Sequence, residues 1–169
     1  ARRNGARVIC IDPRHTASAA SLADQWIALR PGTDAALMTA MAYVIITENL
    51  HDEDFIQRCC SGFDAAQMPG EVAGQESYRD YILGTIDGVP KTPEWAEAIT
   101  AVPRETIVDL AREYATSKPA VLYQGYAMQR RAYGEQVVRA GMALAAITGN
   151  LGIKGGWASG LASQPTPGP

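Results

Sequence analysis

A chain of 169 residues, 47% of them hydrophobic and 20% charged, can bury one domain-sized core, which excludes a disordered segment. Its formal net charge of −3 supplies no general attraction to nucleic acid or to an anionic membrane surface. Ala1-Arg2-Arg3-Asn4-Gly5 reads as a helix end turning into a strand, so the chain is expected to be excised from a larger subunit, with any export signal outside it.

The apolar run at residues 8–11 predicts a buried strand that ends in a loop, Asp12-Pro13-Arg14-His15-Thr16. Residues 16–24 suit a loop or short helix, and residues 26–29 a second strand, with Trp26 shielding the strand pair. Pro31-Gly32 then turns the chain into a helix over 34–49, with Thr33 or Asp34 as N-cap. Its apolar stretch at 35–46 is shorter than the roughly 20 residues that cross a bilayer and predicts a helix packed between layers.

His51-Asp52 begins a helix through about Cys60, and 61–74 reads as surface loop. Helices are predicted over 78–83, from Thr92-Pro93 to about Ile99, and over 104–116, where Pro103 repeats the proline start and Ser117-Lys118-Pro119 the stop. Residues 120–123 predict a third strand ending in Gln124-Gly125, and 135–147 a long apolar helix closed by Thr148-Gly149-Asn150. Residues 1–158 thus read as one α/β domain and 159–169 as a flexible Gly- and Pro-rich tail. Three strands are too few for a complete doubly wound sheet, which agrees with excision.

Ligands of parallel sheets collect beyond the carboxyl ends of the strands, where Asp12 and the Gly32–Asp34 turn are expected. The chain carries no G-x-G-x-x-G fingerprint, which argues against a plain nicotinamide dinucleotide site. Cys10, Cys59 and Cys60 lack C-x-x-C spacing, so neither zinc nor an iron–sulfur cluster is expected within the chain, and Cys10 reads as a small buried hydrophobe. His15 reads as solvent-facing. In the third loop Gly125 permits close backbone approach, while Gln129 and Arg130 supply donors. Arg130 and Arg131 are poorly placed at a helix start unless an anion, or Glu135, answers them. Gly149-Asn150-Leu151-Gly152 and Gly155-Gly156 suit either a ligand close to the backbone or a helix C-cap and turn.

The segments IDPRHTASAA, DQWIALRPGTDAALMTAM, KTPEWAEAITAVPRETIVDLAREYATSKPAVLYQGYAMQRRAYGEQ and LAAITGNLGIKGGW resemble, in the same order, the catalytic subunit of the dimethyl sulfoxide reductase family of molybdopterin oxidoreductases. The anaerobic dimethyl sulfoxide reductase branch is the nearest in pattern, and the resemblance covers nearly the whole chain. It implies a three-layer Rossmann-like domain with a mainly parallel sheet, and a bis-molybdopterin guanine dinucleotide cofactor with molybdenum in the intact parent. Carried over by motif, the dinucleotide-contacting residues are Asp12, Arg14 and Thr16, then Gly32, Thr33 and Asp34, then Gly125, Gln129 and Arg130.

Asp34 is the expected guanine ligand, since a carboxylate accepts paired N–H donors, with a plain N-cap as its alternative role. Arg14 suits a phosphate or a surface salt bridge. In the family the molybdenum-ligating side chain and the substrate contacts lie upstream, so no residue here is expected to be catalytic or a metal ligand.

The resemblance further implies reduction of small S-oxides or N-oxides in anaerobic respiration and an iron–sulfur cluster elsewhere in the parent. It also implies an iron–sulfur electron-transfer subunit, a membrane anchor subunit and an extracytoplasmic location, without nucleic acid. A formate dehydrogenase, nitrate or polysulfide reductase of the same family is the alternative, as is a non-redox Rossmann-like nucleotide-binding module.

Overall fold

The computed structural model describes residues 2–156, so the predicted tail lies outside the described residues. Strands β1 (Ile9–Ile11) and β2 (Gln25–Ile27) form a two-stranded parallel sheet, with Ile9 opposite Gln25 and Ile11 opposite Ile27. Parallel strands need a crossover, here α1 (Ala17–Leu22), whose first turn is closed by Thr16 Oγ1 accepting the Ala19 N–H at 3.1 Å. Both strands therefore run out at one edge, as the sequence predicts.

The centre of the core is α2 (Asp34–Thr47), packed against α5 (Pro93–Thr100), α6 (Arg104–Thr116) and α8 (Glu135–Ile147). Helices on several sides explain why its apolar residues run all round it, with Ala40, Ala42 and Ile45 wholly buried. Two of those are alanines, which let neighbouring helices approach closely, and burying a side chain the size of Ile45 is worth about 1.5–3 kcal/mol. The shorter α3 (Glu53–Cys59), capped by Asp52, and α4 (Tyr78–Leu83), capped by Ser77, flank this assembly. The loop between them carries two 3-10 turns and returns Phe63 to the core.

The architecture is mainly helical with a small parallel sheet, an α/β arrangement in the broad sense. Residues 120–123, predicted as a third strand, join no sheet among the described residues. The Ala120 N–H is taken instead by Asn150 Oδ1 at 2.9 Å, and Val121 and Tyr123 are 55% and 61% exposed, so the run is not enclosed as a central strand would be. It leads directly into the single turn α7 (Tyr126–Gln129).

Candidate functional site

The first loop is braced by β2. The Asp12 N–H donates to the Ile27 carbonyl at 3.2 Å, and Trp26 Nε1 donates to the Asp12 carbonyl at 2.9 Å. Trp26 is half-exposed, and its ring meets the exposed His15 edge-on at 5.0 Å, so it holds the loop rather than covering the strands. Asp12 Oδ1 accepts the Arg14 N–H at 2.8 Å, a turn internal to the loop. The Thr16 hydroxyl oxygen caps α1, and the exposed Arg14 has no ion pair among the described residues.

The second loop is anchored on the end of α5. The Arg30 N–H donates to the Thr100 carbonyl at 2.8 Å, and its guanidinium to that of Ile99 at 2.7 Å. Gly32 follows with φ +79°, a left-handed conformation that favours glycine. Thr33, not Asp34, occupies the N-cap position of α2, and its hydroxyl donates to the Arg30 carbonyl at 2.7 Å instead of capping. Asp34 is therefore the first helical residue and does not fill the cap position foreseen as its alternative, and Thr33, which does, makes no side-chain cap bond.

The Asp34 carboxyl is half-buried and accepts no hydrogen bond from another residue among the described residues. Burial pushes its pKa above the usual carboxylate range, opposed by its own backbone N–H and by the charge of Arg131.

The third loop begins at the buried Gln124, whose Nε2 donates to the Val137 carbonyl at 2.7 Å while its Oε1 has no hydrogen-bond partner among the described residues. Gly125 faces open space, so no described residue demands a glycine there. The carbonyl of the exposed Gln129 lies 1.9 Å from where a Cβ on Gly134 would stand, which requires that glycine. Arg130 lies over the Tyr126 ring at 5.2 Å. Neither arginine pairs with Glu135 among the described residues, the helix-start alternative foreseen for them.

Arg131, absent from the residues foreseen as ligands, joins the second and third loops. Its Nη1 lies 1.2 Å from the position a Cβ on Gly32 would take, so the guanidinium rests on the bare Gly32 backbone. The only sequence signal was its place in an arginine pair beside a turn. No hydrogen bond or ion pair joins Asp12, Arg14 or Thr16 to the other two loops among the described residues, so a ligand spanning all three would have to bridge them itself. Gly149, with φ +65° directly after α8, packs against the Asp52 carboxylate, which supports the C-cap reading of that glycine group.

At the start of α2 a carboxylate, a guanidinium, the glycine backbone it rests on and first-turn N–H groups converge. This donor and acceptor set suits the base and phosphate portions of a nucleotide.

A profile of the family described as molybdopterin oxidoreductase matches residues 1–164. The chain is 50% identical over 156 residues to dimethyl sulfoxide reductase DmsA of Escherichia coli (strain K12), covering 92% of this chain and 19% of that protein. It is 37% identical over 153 residues to a trimethylamine-N-oxide reductase of Haemophilus influenzae, covering 90% of this chain and 17% of that one. Among solved structures it is similar to acetylene hydratase from Pelobacter acetylenicus, with a TM-score of 0.69, 30% identity, and coverage of 88% of this chain and 18% of the hydratase. The chain thus spans about a fifth of the length of the curated relatives it matches.

Proposed function

The chain belongs to the molybdopterin oxidoreductase family, and we propose that within its parent enzyme it holds the guanine dinucleotide portion of the cofactor while other segments bind the metal. The observation that carries this reading is the meeting of Arg131 with the Gly32 turn beside the half-buried Asp34 at the start of α2. Asp34 would accept the N–H edge of guanine, and the Gly32 backbone, which carries no side chain of its own, would admit the ligand once the Arg131 guanidinium lying on it moves aside. Asp12, Arg14, Thr16, Thr33, Gly125, Gln129 and Arg130 are the further candidates; the exposed Arg14 and Gln129 would reach phosphate or pterin oxygens directly, and Arg130 by leaving the Tyr126 ring.

Similarity to S-oxide and N-oxide reductases supports a parent enzyme that reduces such substrates. When bound, the metal group would supply two-electron oxygen-atom transfer, and this chain would hold and orient the dinucleotide portion of the cofactor. A hydratase shares the segment, and hydration involves no net electron transfer, which supports a holding role separate from the choice of reaction. By the same token a formate dehydrogenase or a nitrate or polysulfide reductase is the second reading.

In the first reading the parent works outside the cytoplasm with an iron–sulfur electron-transfer subunit and a membrane anchor subunit, and carries an iron–sulfur cluster of its own. The whole domain would complete a three-layer Rossmann-like fold, with β1 and β2 as part of its parallel sheet. The test is Asp34→Ala in the full-length subunit, followed by acid release and quantitation of GMP. Loss of most of the GMP with folding intact is expected. Wild-type GMP content would refute base recognition by Asp34.

A further inference from the structure

Arg131 reaches Gly32 without the partner that usually fixes an exposed arginine. No carboxylate pairs with it and no ring stacks on it among the described residues. Its guanidinium lies on bare backbone, Nη1 1.2 Å and Cζ 1.9 Å from where a Cβ on Gly32 would stand. The left-handed φ of +79° at Gly32 and the absence of a side chain make room for that flat group. Asp34 lies close enough to feel its charge, yet no ion pair or hydrogen bond joins the two. The neighbouring Arg130 is turned away over Tyr126, so one arginine of the pair is committed to a ring and the other to the turn.

A guanidinium and the Watson–Crick edge of guanine present the same pattern to a carboxylate, a plane of adjacent N–H donors. We infer that Arg131 is a displaceable stand-in for the guanine base, lying over the Gly32 turn beside Asp34 when no dinucleotide is bound and turned out when the base arrives. The inference rests on the proposed role of Asp34 as base acceptor. Displacement is easy for this side chain, because it is exposed, it pairs with no group among the described residues, and it hangs from the segment just after the single turn α7. The cost falls on ligand entry, since a site occupied by its own chain binds only in the fraction of time that it stands open.

The experiment uses the full-length subunit purified free of cofactor, with GDP as the probe and ADP as the control, and binding measured by calorimetry. Arg131→Ala is expected to tighten GDP binding by about two- to fivefold, as for a site that its own exposed side chain covers for half to four-fifths of the time, and to leave ADP binding unchanged. In an Asp34→Asn background the gain should shrink, because the carboxylate whose charge draws the guanidinium to the turn is gone. Weaker GDP binding by Arg131→Ala would make Arg131 a ligand of the phosphates and overturn the stand-in. Unchanged GDP binding, or none by either protein, would overturn it as well. Asp34→Asn alone tests the reading beneath it. If the preference for GDP over ADP survives that change, base recognition by Asp34 fails, whatever Arg131 does.

Discussion

Asn150 Oδ1 accepts the backbone N–H of Ala120 at 2.9 Å, and its Nδ2 donates to the Thr148 hydroxyl at 3.0 Å, with all three residues buried. One side chain thus ties the end of α8 to the start of the run that leads into the third loop. A buried amide so satisfied has no need of a neighbouring strand.

Asn150→Ala should leave the Ala120 N–H buried and unpaired and cost about 2 kcal/mol. Denaturant unfolding measures the loss, and hydrogen exchange at the Ala120 amide locates it. A variant as stable as wild type, with that amide still protected, would mean the tie is not structural.

Gly141 in α8 faces the buried Gln124, whose amide nitrogen and oxygen each lie 2.5 Å from where a Cβ on Gly141 would stand. In an open helix Gly141→Ala would stabilise by about 1 kcal/mol through propensity. Here the collision should reverse the sign and cost about 1–3 kcal/mol. The double variant Gly141→Ala, Gln124→Ala should recover part of that loss. Strict additivity of the two changes would show that the side chains do not meet.

The Asp52 carboxyl is held below its ordinary range, first by its hydrogen bond to Lys118 and then by the Phe55 N–H that it accepts as cap of α3. Because the folded-state value is depressed, its contribution is present above the unfolded carboxylate value and lost as pH falls through the folded one. Wild type should therefore lose stability on acidification more steeply than Asp52→Asn, and circular dichroism during acid titration reads the difference. Asp52→Ala at neutral pH should cost about 1 kcal/mol through loss of the cap. Parallel acid profiles for wild type and Asp52→Asn would count against the Lys118 pairing.

Asp34 has the opposite sign. Burial raises its folded-state value, so the ionised form is disfavoured, and stability present below the unfolded carboxylate value is lost as pH rises through the folded one. Asp34→Asn should flatten that part of the profile. Since Thr33 holds the cap position and burial offsets the favourable placement of a negative charge at the start of α2, the substitution should change neutral-pH stability by no more than about 1 kcal/mol. A loss well above that range on thermal or urea unfolding would return Asp34 to a structural role.

Local patterns in the sequence determined most of the helices and the first two strands. Thr92-Pro93 opens α5 as foreseen, with Thr92 Oγ1 accepting the Trp95 N–H at 3.2 Å, and the apolar run after Gly32 forms the central helix α2. Such signals are legible because a cap or a helical period lies within one or two turns of chain. The family motifs likewise lie in contiguous segments. Tertiary structure alone decided that the run before Gln124 would spend its first amide on Asn150 and join no sheet, since an apolar run looks the same whether its partner is a strand or a side chain. It alone chose Arg131 over Arg130 to meet Gly32, and it left Asp34 half-buried without the cap. These outcomes depend on which distant segments α2 and α8 bring together in space, and no local periodicity carries that information.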